Sequence, residues 1–234
     1  MPPSDPPGPL IGAGRSADVY AIGPGRVLRR YRTPMDVQSE ATLMRHLDGA
    51  GFPVPKVFDA HGSDLVMERL DGRDMLTDLG RRPWLARRHA RTLADMHNRL
   101  HQIAAPPGWP QPLGPGDKVL HLDLHPGNIM LTSRGPVVID WSNKAAGPAG
   151  ADVAMAYLIM ASSELDDLPV LVRPAVSSVR AAVIRHFLLG ARDDPAPHMA
   201  TVARLRMTDP KVRPSEAGWL ARKVAEVEQA AEAG

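Results

Sequence analysis

His121-Leu-Asp123-Leu-His125-Pro-Gly127-Asn128-Ile-Met-Leu131, followed shortly by Val137-Val-Ile-Asp140-Trp141, is the stretch that decides the fold. Ile129–Leu131 and Val137–Ile139 read as short apolar strands joined by a turn at Ser133-Arg134-Gly135. Such a hairpin brings Asn128, which opens the first strand, and Asp140, which ends the second, to the same end. An amide oxygen and a carboxylate so placed suit Mg2+, which takes hard oxygen ligands and shares them with substrate phosphates. Asp123 lies in the preceding turn, where it can accept a hydroxyl proton. The plainer alternative is that Asp123 and Asn128 only hydrogen-bond loop backbone.

Upstream, the chain is rich in strand signals. Leu10–Ile11 leads into Gly12-Ala-Gly14-Arg-Ser16-Ala17-Asp-Val19, which fits G-x-G-x-x-G-x-V except that Ala17 replaces the third glycine. Small residues let a hairpin backbone approach phosphates closely, although a plain glycine-rich hairpin has the same composition. Val19–Ile22 and Val27–Tyr31 are the next strands, separated by Gly23-Pro24-Gly25. Asp36 can cap a helix over Val37–Leu47, with Val37, Ala41, Met44 and Leu47 on one face. Glu40 points with that apolar face, so its carboxylate needs a cationic partner, and the preceding strand offers Arg29 and Arg30. Val54–Ala60 and Asp64–Glu68 are two further strands, joined at His61-Gly62-Ser63, and Leu70-Asp71-Gly72 marks a boundary.

Downstream, the periodicity becomes helical. Leu85, Leu93, Met96, Leu100 and Ile103 form one stripe, and Val119–Leu120 is a short strand. Helices are expected over Asp152–Ala161, Pro174–Leu189, Pro197–Arg206 and Ser215–Ala231. The expected organisation is a flexible tail over 1–9, a nucleotide-binding lobe over 10–70 and a helical catalytic and substrate-binding lobe over 71–234. A cleft between two such lobes is a usual place for a ligand.

Composition excludes several function classes. The 234 residues contain no cysteine, which removes disulfides, thiolate metal sites and cysteine nucleophiles. The 28 basic and 26 acidic residues nearly balance, and no basic block with interleaved aromatics appears, so nucleic acid is not an expected partner. The longest uncharged apolar run, Val153–Ala161, is too short to span a bilayer. Met1–Pro9 holds five prolines and no apolar core, unlike a secretory leader. A cytoplasmic protein with no membrane partner, monomeric or weakly dimeric, is expected.

Together these strings resemble the protein kinase-like superfamily, and more closely its aminoglycoside phosphotransferase and choline kinase branch. That branch uses the H-x-D-L-H-P-G-N-I-M-L string ending in I-D-W. Leu65-Val-Met67-Glu68-Arg-Leu70-Asp-Gly72 is similar to its hinge, and Leu93-Ala-Asp-Met-His97 to its first large-lobe helix. The resemblance covers roughly residues 10–160. It implies an α+β, two-lobed protein kinase-like fold, with a small antiparallel-sheet N-lobe carrying one helix and a larger, mainly helical C-lobe. It further implies ATP and Mg2+ as cofactors, with the γ-phosphate passing to a hydroxyl of a small molecule. On this resemblance Asp123 is the catalytic base or hydroxyl-orienting residue. Asn128 and Asp140 hold Mg2+, and Gly12, Gly14 and Ser16 cover the phosphates. The backbone of Glu68 to Leu70 meets adenine behind Met67. His121 braces the catalytic loop and Asp152 anchors it.

One position departs from the family pattern. No lysine precedes Lys56, so the phosphate-binding lysine has no counterpart, and Val27-Leu-Arg29-Arg30 occupies its strand. Strand alternation turns only one arginine inward. Arg29 is favoured, since it places Val27 beneath the adenine and pairs with Glu40, and Arg30 is the alternative. The acidic run Glu164, Asp166, Asp167 is either a binding patch for an amine-rich acceptor or a solvated loop. A protein Ser/Thr kinase-like enzyme is a rival reading. Against it, only about a dozen residues separate Asp140 from Asp152, which leaves little room for a peptide-docking segment. A non-catalytic nucleotide-binding pseudokinase is a second rival, favoured by the absent lysine and opposed by the intact Asp123, Asn128 and Asp140.

Overall fold

A computed structural model describes residues 8–14, 16–35, 37–164, 168–210 and 212–232. The expected cap Asp36, most of the expected tail, and Asp166 and Asp167 of the acidic run lie outside these residues. The chain divides into two compact units. The first comprises residues 1–73 and 130–142, and the second residues 74–129 and 143–234.

The first unit contains β1 (Leu10–Ala13), β2 (Ala17–Gly23), β3 (Arg26–Tyr31), α1 (Gln38–Gly49), β4 (Val57–His61) and β5 (Asp64–Glu68). The five strands form one antiparallel sheet in the order β1-β2-β3-β5-β4. Period-2 alternation in β3 decides the arginine question. Arg30 lies opposite Asp64 of β5 and bonds it through Nε (2.7 Å) and Nη2 (2.6 Å). Arg29 projects to the other side with Tyr31, where α1 presents Glu40. Val37, Ala41, Leu43, Met44 and Leu47 of the α1 region are buried together with Val27, Leu28 and Leu65 of the sheet. The residue preceding α1, Val37, offers no side-chain cap.

The short strand β6 (Arg73–Asp74) precedes α2 (Met75–Arg81), α3 (Ala86–Leu100) and β7 (Lys118–Leu120), and β8 (Ile129–Thr132) and β9 (Gly135–Val138) then form a hairpin. That hairpin belongs with the first unit. The Val138 N–H donates to the Pro53 carbonyl at 2.9 Å, and Trp141 meets Phe52 edge-on with ring centroids 6.0 Å apart. Gly72 makes this packing possible, because its φ is +90° and a Cβ there would lie 2.0 Å from the Leu131 carbonyl oxygen. The hairpin ends earlier than its apolar run suggests. Strand β9 stops at Val138, and Asp140 stands beyond it with φ +65°, a left-handed conformation unusual for any residue but glycine.

The second unit is mainly helical: α2, α3, α4 (Ala149–Ser162), α5 (Arg173–Gly190), α6 (Met199–Met207) and α7 (Pro214–Glu232). Its small sheet pairs β7 with β10 (Ala145–Gly147). Helix α4 is apolar nearly all round and correspondingly buried, with Val153, Ala154, Ala156 and Leu158 inaccessible. Leu120, Leu122, Val202, Ala203, Leu220 and Val224 pack in the same core. Each expected helix in this region is present; three have ends within two residues of those expected, and α4 starts three residues early, at Ala149. Helix α2 and strand β10 were not expected. Leu85 and Ile103 of the anticipated stripe fall outside α3. Among the described residues, no helix is long and apolar enough to cross a membrane.

Candidate functional site

In the first unit the site is built around Arg29. Its Nη1 donates to Glu40 Oε1 at 3.1 Å, and its Nη2 donates to Asp140 Oδ1 at 2.7 Å. The arginine side chain is 11% exposed and the Glu40 side chain 2%. Burial works against the arginine charge, but the Asp140 and Glu40 carboxylates outweigh it and raise the guanidinium pKa further. Tyr31 completes the cluster by donating to Glu40 Oε2 at 2.7 Å. Burial, aided by the Glu40 charge, keeps that phenol protonated well above its ordinary range. Asp140 Oδ1 also accepts from Ser142 Oγ at 3.0 Å. One buried cation thus organises the α1 carboxylate and the carboxylate that follows the hairpin.

The other residues expected here take varied positions. Gly12 lies on β1 and Gly14 just beyond it, and the Gly14 N–H donates to the Ala17 carbonyl at 2.8 Å, closing the turn before β2. The Ser16 carbonyl accepts from the Arg32 N–H at 3.0 Å. Met67 lies opposite buried Val27 across the β3–β5 ladder. Glu68 ends β5, and its carboxylate accepts from Arg134 Nη2 of the hairpin at 2.7 Å. Leu70 follows as partly buried irregular chain.

In the second unit, Asp123 and Asn128 are joined directly. Asn128 Nδ2 donates to the Asp123 carbonyl at 2.8 Å and to Asp123 Oδ2 at 3.0 Å. Asn128 sits in a 3-10 turn, Pro126–Asn128, immediately before β8. Both of its bonds to Asp123 use the amide nitrogen, so the amide oxygen is the atom it can offer to a metal. That oxygen, like the Asp140 carboxylate of the first unit, is by itself a hard donor of the kind Mg2+ takes. The Asp123 side chain is 24% exposed, and the His125 Nε2 lies 3.7 Å from its Oδ1.

The loop carrying Asp123 hangs from Asp152, in the first turn of α4. Asp152 Oδ1 accepts from the Leu122 N–H at 2.7 Å, and Oδ2 accepts from the His121 N–H at 3.2 Å. Leu122 has φ +59°, so this loop too contains a non-glycine residue in the left-handed region. His121 is fully buried, and its Nδ1 accepts from the Asp123 N–H at 3.2 Å, the geometry of a brace.

Sequence reasoning gave no role to Tyr31, His97 or His101. His101 Nε2 lies 3.2 Å from Asp152 Oδ2, and its Nδ1 lies 2.8 Å from Asp193 Oδ2. Burial opposes the His101 charge, but Asp152 and Asp193 overcome this and raise its pKa. Burial lowers the His97 pKa to about 4 despite the Asp152 carboxylate, so this ring is neutral at pH 7. Asp152 stays ionised: burial pushes its pKa up, and hydrogen bonding from His101 with the surrounding histidines brings it below the usual carboxylate range. The signal available in sequence was the i,i+4 spacing of His97, in the last turn of α3, and His101, its C-cap.

The family model described as the phosphotransferase enzyme family matches residues 8–118 and 117–197. No curated protein matches the sequence. Among solved structures, aminoglycoside phosphotransferase APH(4)-Ia aligns over 94% of this chain and 92% of its own, with 14% identity and a TM-score of 0.55. The amicoumacin kinase hAmiN, in complex with AMP-PNP, Ca2+ and Ami, aligns over 94% and 87%, with 14% identity and a TM-score of 0.50. A choline/ethanolamine kinase family protein from Mesorhizobium loti aligns over 97% and 88%, with 12% identity and a TM-score of 0.50. These structural likenesses establish an α+β, protein kinase-like fold. With the family model covering most of its length, the chain belongs to the phosphotransferase enzyme family.

Proposed function

We propose that the protein transfers the γ-phosphoryl group of ATP, in the presence of Mg2+, to a hydroxyl group of a small molecule. The observation that carries this reading is the Arg29 fork, which holds Glu40 and Asp140 at once and fills the role of the missing lysine. Arginine supplies a permanent charge and a planar pair of donors, so one side chain can align a carboxylate and a phosphate together.

In this reading Asp123 receives or orients the acceptor hydroxyl. The acceptor oxygen bonds to the γ-phosphorus as the bond from that phosphorus to ADP breaks, and the hydroxyl proton passes to Asp123. Asn128 fixes the Asp123 carboxylate with the bond already in place, which removes rotamer search from the reacting state. Asn128 and Asp140 would hold Mg2+, whose contribution is to neutralise charge on the phosphate oxygens. Gly12, Gly14 and Ser16 lie over the phosphates, and the chain from Glu68 to Leu70 meets the adenine, with Met67 behind it. Arg29 stays charged throughout and adds fixed electrostatic stabilisation.

Amine-bearing acceptors such as aminoglycosides and amino alcohols come first, because the named structural relatives include aminoglycoside and choline/ethanolamine kinase family proteins. ADP release measured with Mg2+, ATP and a panel of aminoglycosides, amino alcohols and sugars tests the reading. Acceptor-dependent release supports it. ATP binding without turnover on any acceptor supports the pseudokinase alternative.

A further inference from the structure

We propose that His97 Nδ1, His101 Nε2 and Asp152 Oδ2 form a buried site for a divalent transition ion of the zinc class, separate from the Mg2+ ligands. The three atoms lie within 4.8 Å of one another, and all three residues are buried. Asp152 Oδ2 is 3.6 Å from His97 Nδ1 and 3.2 Å from His101 Nε2. Donors bound at zinc distances of about 2.0–2.1 Å around a tetrahedral centre stand roughly 3.3 Å apart, so both separations bracket the required edge.

The outer partners favour a metal as well. The far ring nitrogen of His97, Nε2, donates to the Leu124 carbonyl at 3.2 Å. That fixes the tautomer and leaves Nδ1 as a lone pair, and Nδ1 is a fully buried atom with no hydrogen-bond partner. It faces a carboxylate oxygen, so two acceptors confront each other with no hydrogen between them. A cation removes that conflict. On His101 the far nitrogen, Nδ1, meets Asp193, which gives the carboxylate–histidine–metal relay common at zinc sites. Asp193 is kept near by close packing of its segment on α4, where a Cβ at Gly150 would lie 2.2 Å from the Asp194 carbonyl oxygen. Phe187, its ring centroid 5.1 Å from that of His97, supplies an apolar wall.

Two imidazoles and one carboxylate select a borderline ion over Mg2+ or Ca2+, which take oxygen ligands. Three protein donors leave a fourth position for solvent. The ion would replace the proton on His101 Nε2, so binding releases a proton. Its consequence is structural: the Asp152 carboxylate that holds the N–H groups of His121 and Leu122 would be pinned from its other side. Because the site is enclosed, the metal enters during folding and exchanges slowly afterwards.

The test uses untagged full-length protein, unfolded in urea with chelator and refolded in micromolar ZnCl2 or CoCl2. After desalting, about one metal ion per chain is expected in the wild type and less than about a tenth in His97→Gln/His101→Gln, as for a site that forms with the fold. The cobalt protein should show the visible d–d absorption of a low-symmetry N/O centre. X-ray absorption of the wild-type zinc protein should show two imidazole ligands, and this decides the matter if the double variant does not refold. Refolded wild type without metal would overturn the proposal and leave the proton on His101 as the cation. Equal metal in wild type and a folded double variant would also overturn it. None of these readouts depends on phosphate transfer.

Discussion

Arg29 Nη2 and Asp140 Oδ1 are hydrogen-bonded at 2.7 Å, although 111 residues separate them in sequence. The bond ties the third strand of the sheet to the segment beyond the β8–β9 hairpin. It also gives Asp140, in its left-handed backbone conformation, a fixed side-chain direction. An electrostatic tie of this kind persists where its charges are shielded from water, and Arg29 is largely buried.

Arg29 is the first target for mutation. Arg29→Met leaves Glu40 buried with only Tyr31 as its polar partner, so stability should fall by about 3–5 kcal/mol, the usual cost of breaking a buried pair. Arg29→Lys keeps a charge but lacks the planar fork, so it should lose less stability and retain more turnover than the Met variant. Urea unfolding and ADP-release rates, measured on the same preparations, check both. A Met variant as stable as wild type would show that the fork is not needed.

Asp140→Ala should fold but lose the Mg2+-dependent part of ATP binding. The carboxylate is partly exposed, so its removal leaves no large cavity, while Arg29 keeps its contact with Glu40. Thermal-shift titration with ATP, with and without Mg2+, is the measurement. A metal-dependent shift as large as that of wild type would rule out the metal role.

Asp152→Ala should be as destabilising as Arg29→Met. It strips the partner from two buried N–H groups, those of His121 and Leu122, and from the His101 ring. A loss of about 3–5 kcal/mol is expected, as for one half of a buried charge pair. Equilibrium urea denaturation reads it directly, and a change under about 1 kcal/mol would mean that the loop is held by other contacts.

How far these features were legible in sequence depended on the range of the interactions that make them. The choice of Arg29 over Arg30 followed from strand alternation, because β3 is regular and its two neighbours keep it in register. The link of Glu40 to a cation followed from its place on the apolar face of α1. Helix α2 did not, because seven residues are too few for periodicity to register. It is defined instead by Asp74 accepting from the Thr77 N–H at 2.8 Å and by buried Asp78 meeting His89. Strand β10 is Ala-Ala-Gly, whose composition carries no strand signal. The Arg29–Asp140 bond joins residues 111 apart by folding, and local spacing contains no trace of it; of the Asp152 histidine cluster it carries only the spacing of His97 and His101.

The measurement that decides the central claim follows the phosphorus itself. Phosphorus NMR of a reaction holding ATP, Mg2+ and the best acceptor should show the γ-phosphate signal replaced by a phosphate monoester on the acceptor, with ADP in equal amount. Asp123→Asn keeps the side-chain shape and removes its basicity, so it should bind ATP as wild type does and form the ester about 10²–10⁴-fold more slowly. Phosphorus appearing only as inorganic phosphate, or ester formed by Asp123→Asn within a few-fold of the wild-type rate, would contradict the reading of this protein as a hydroxyl phosphotransferase.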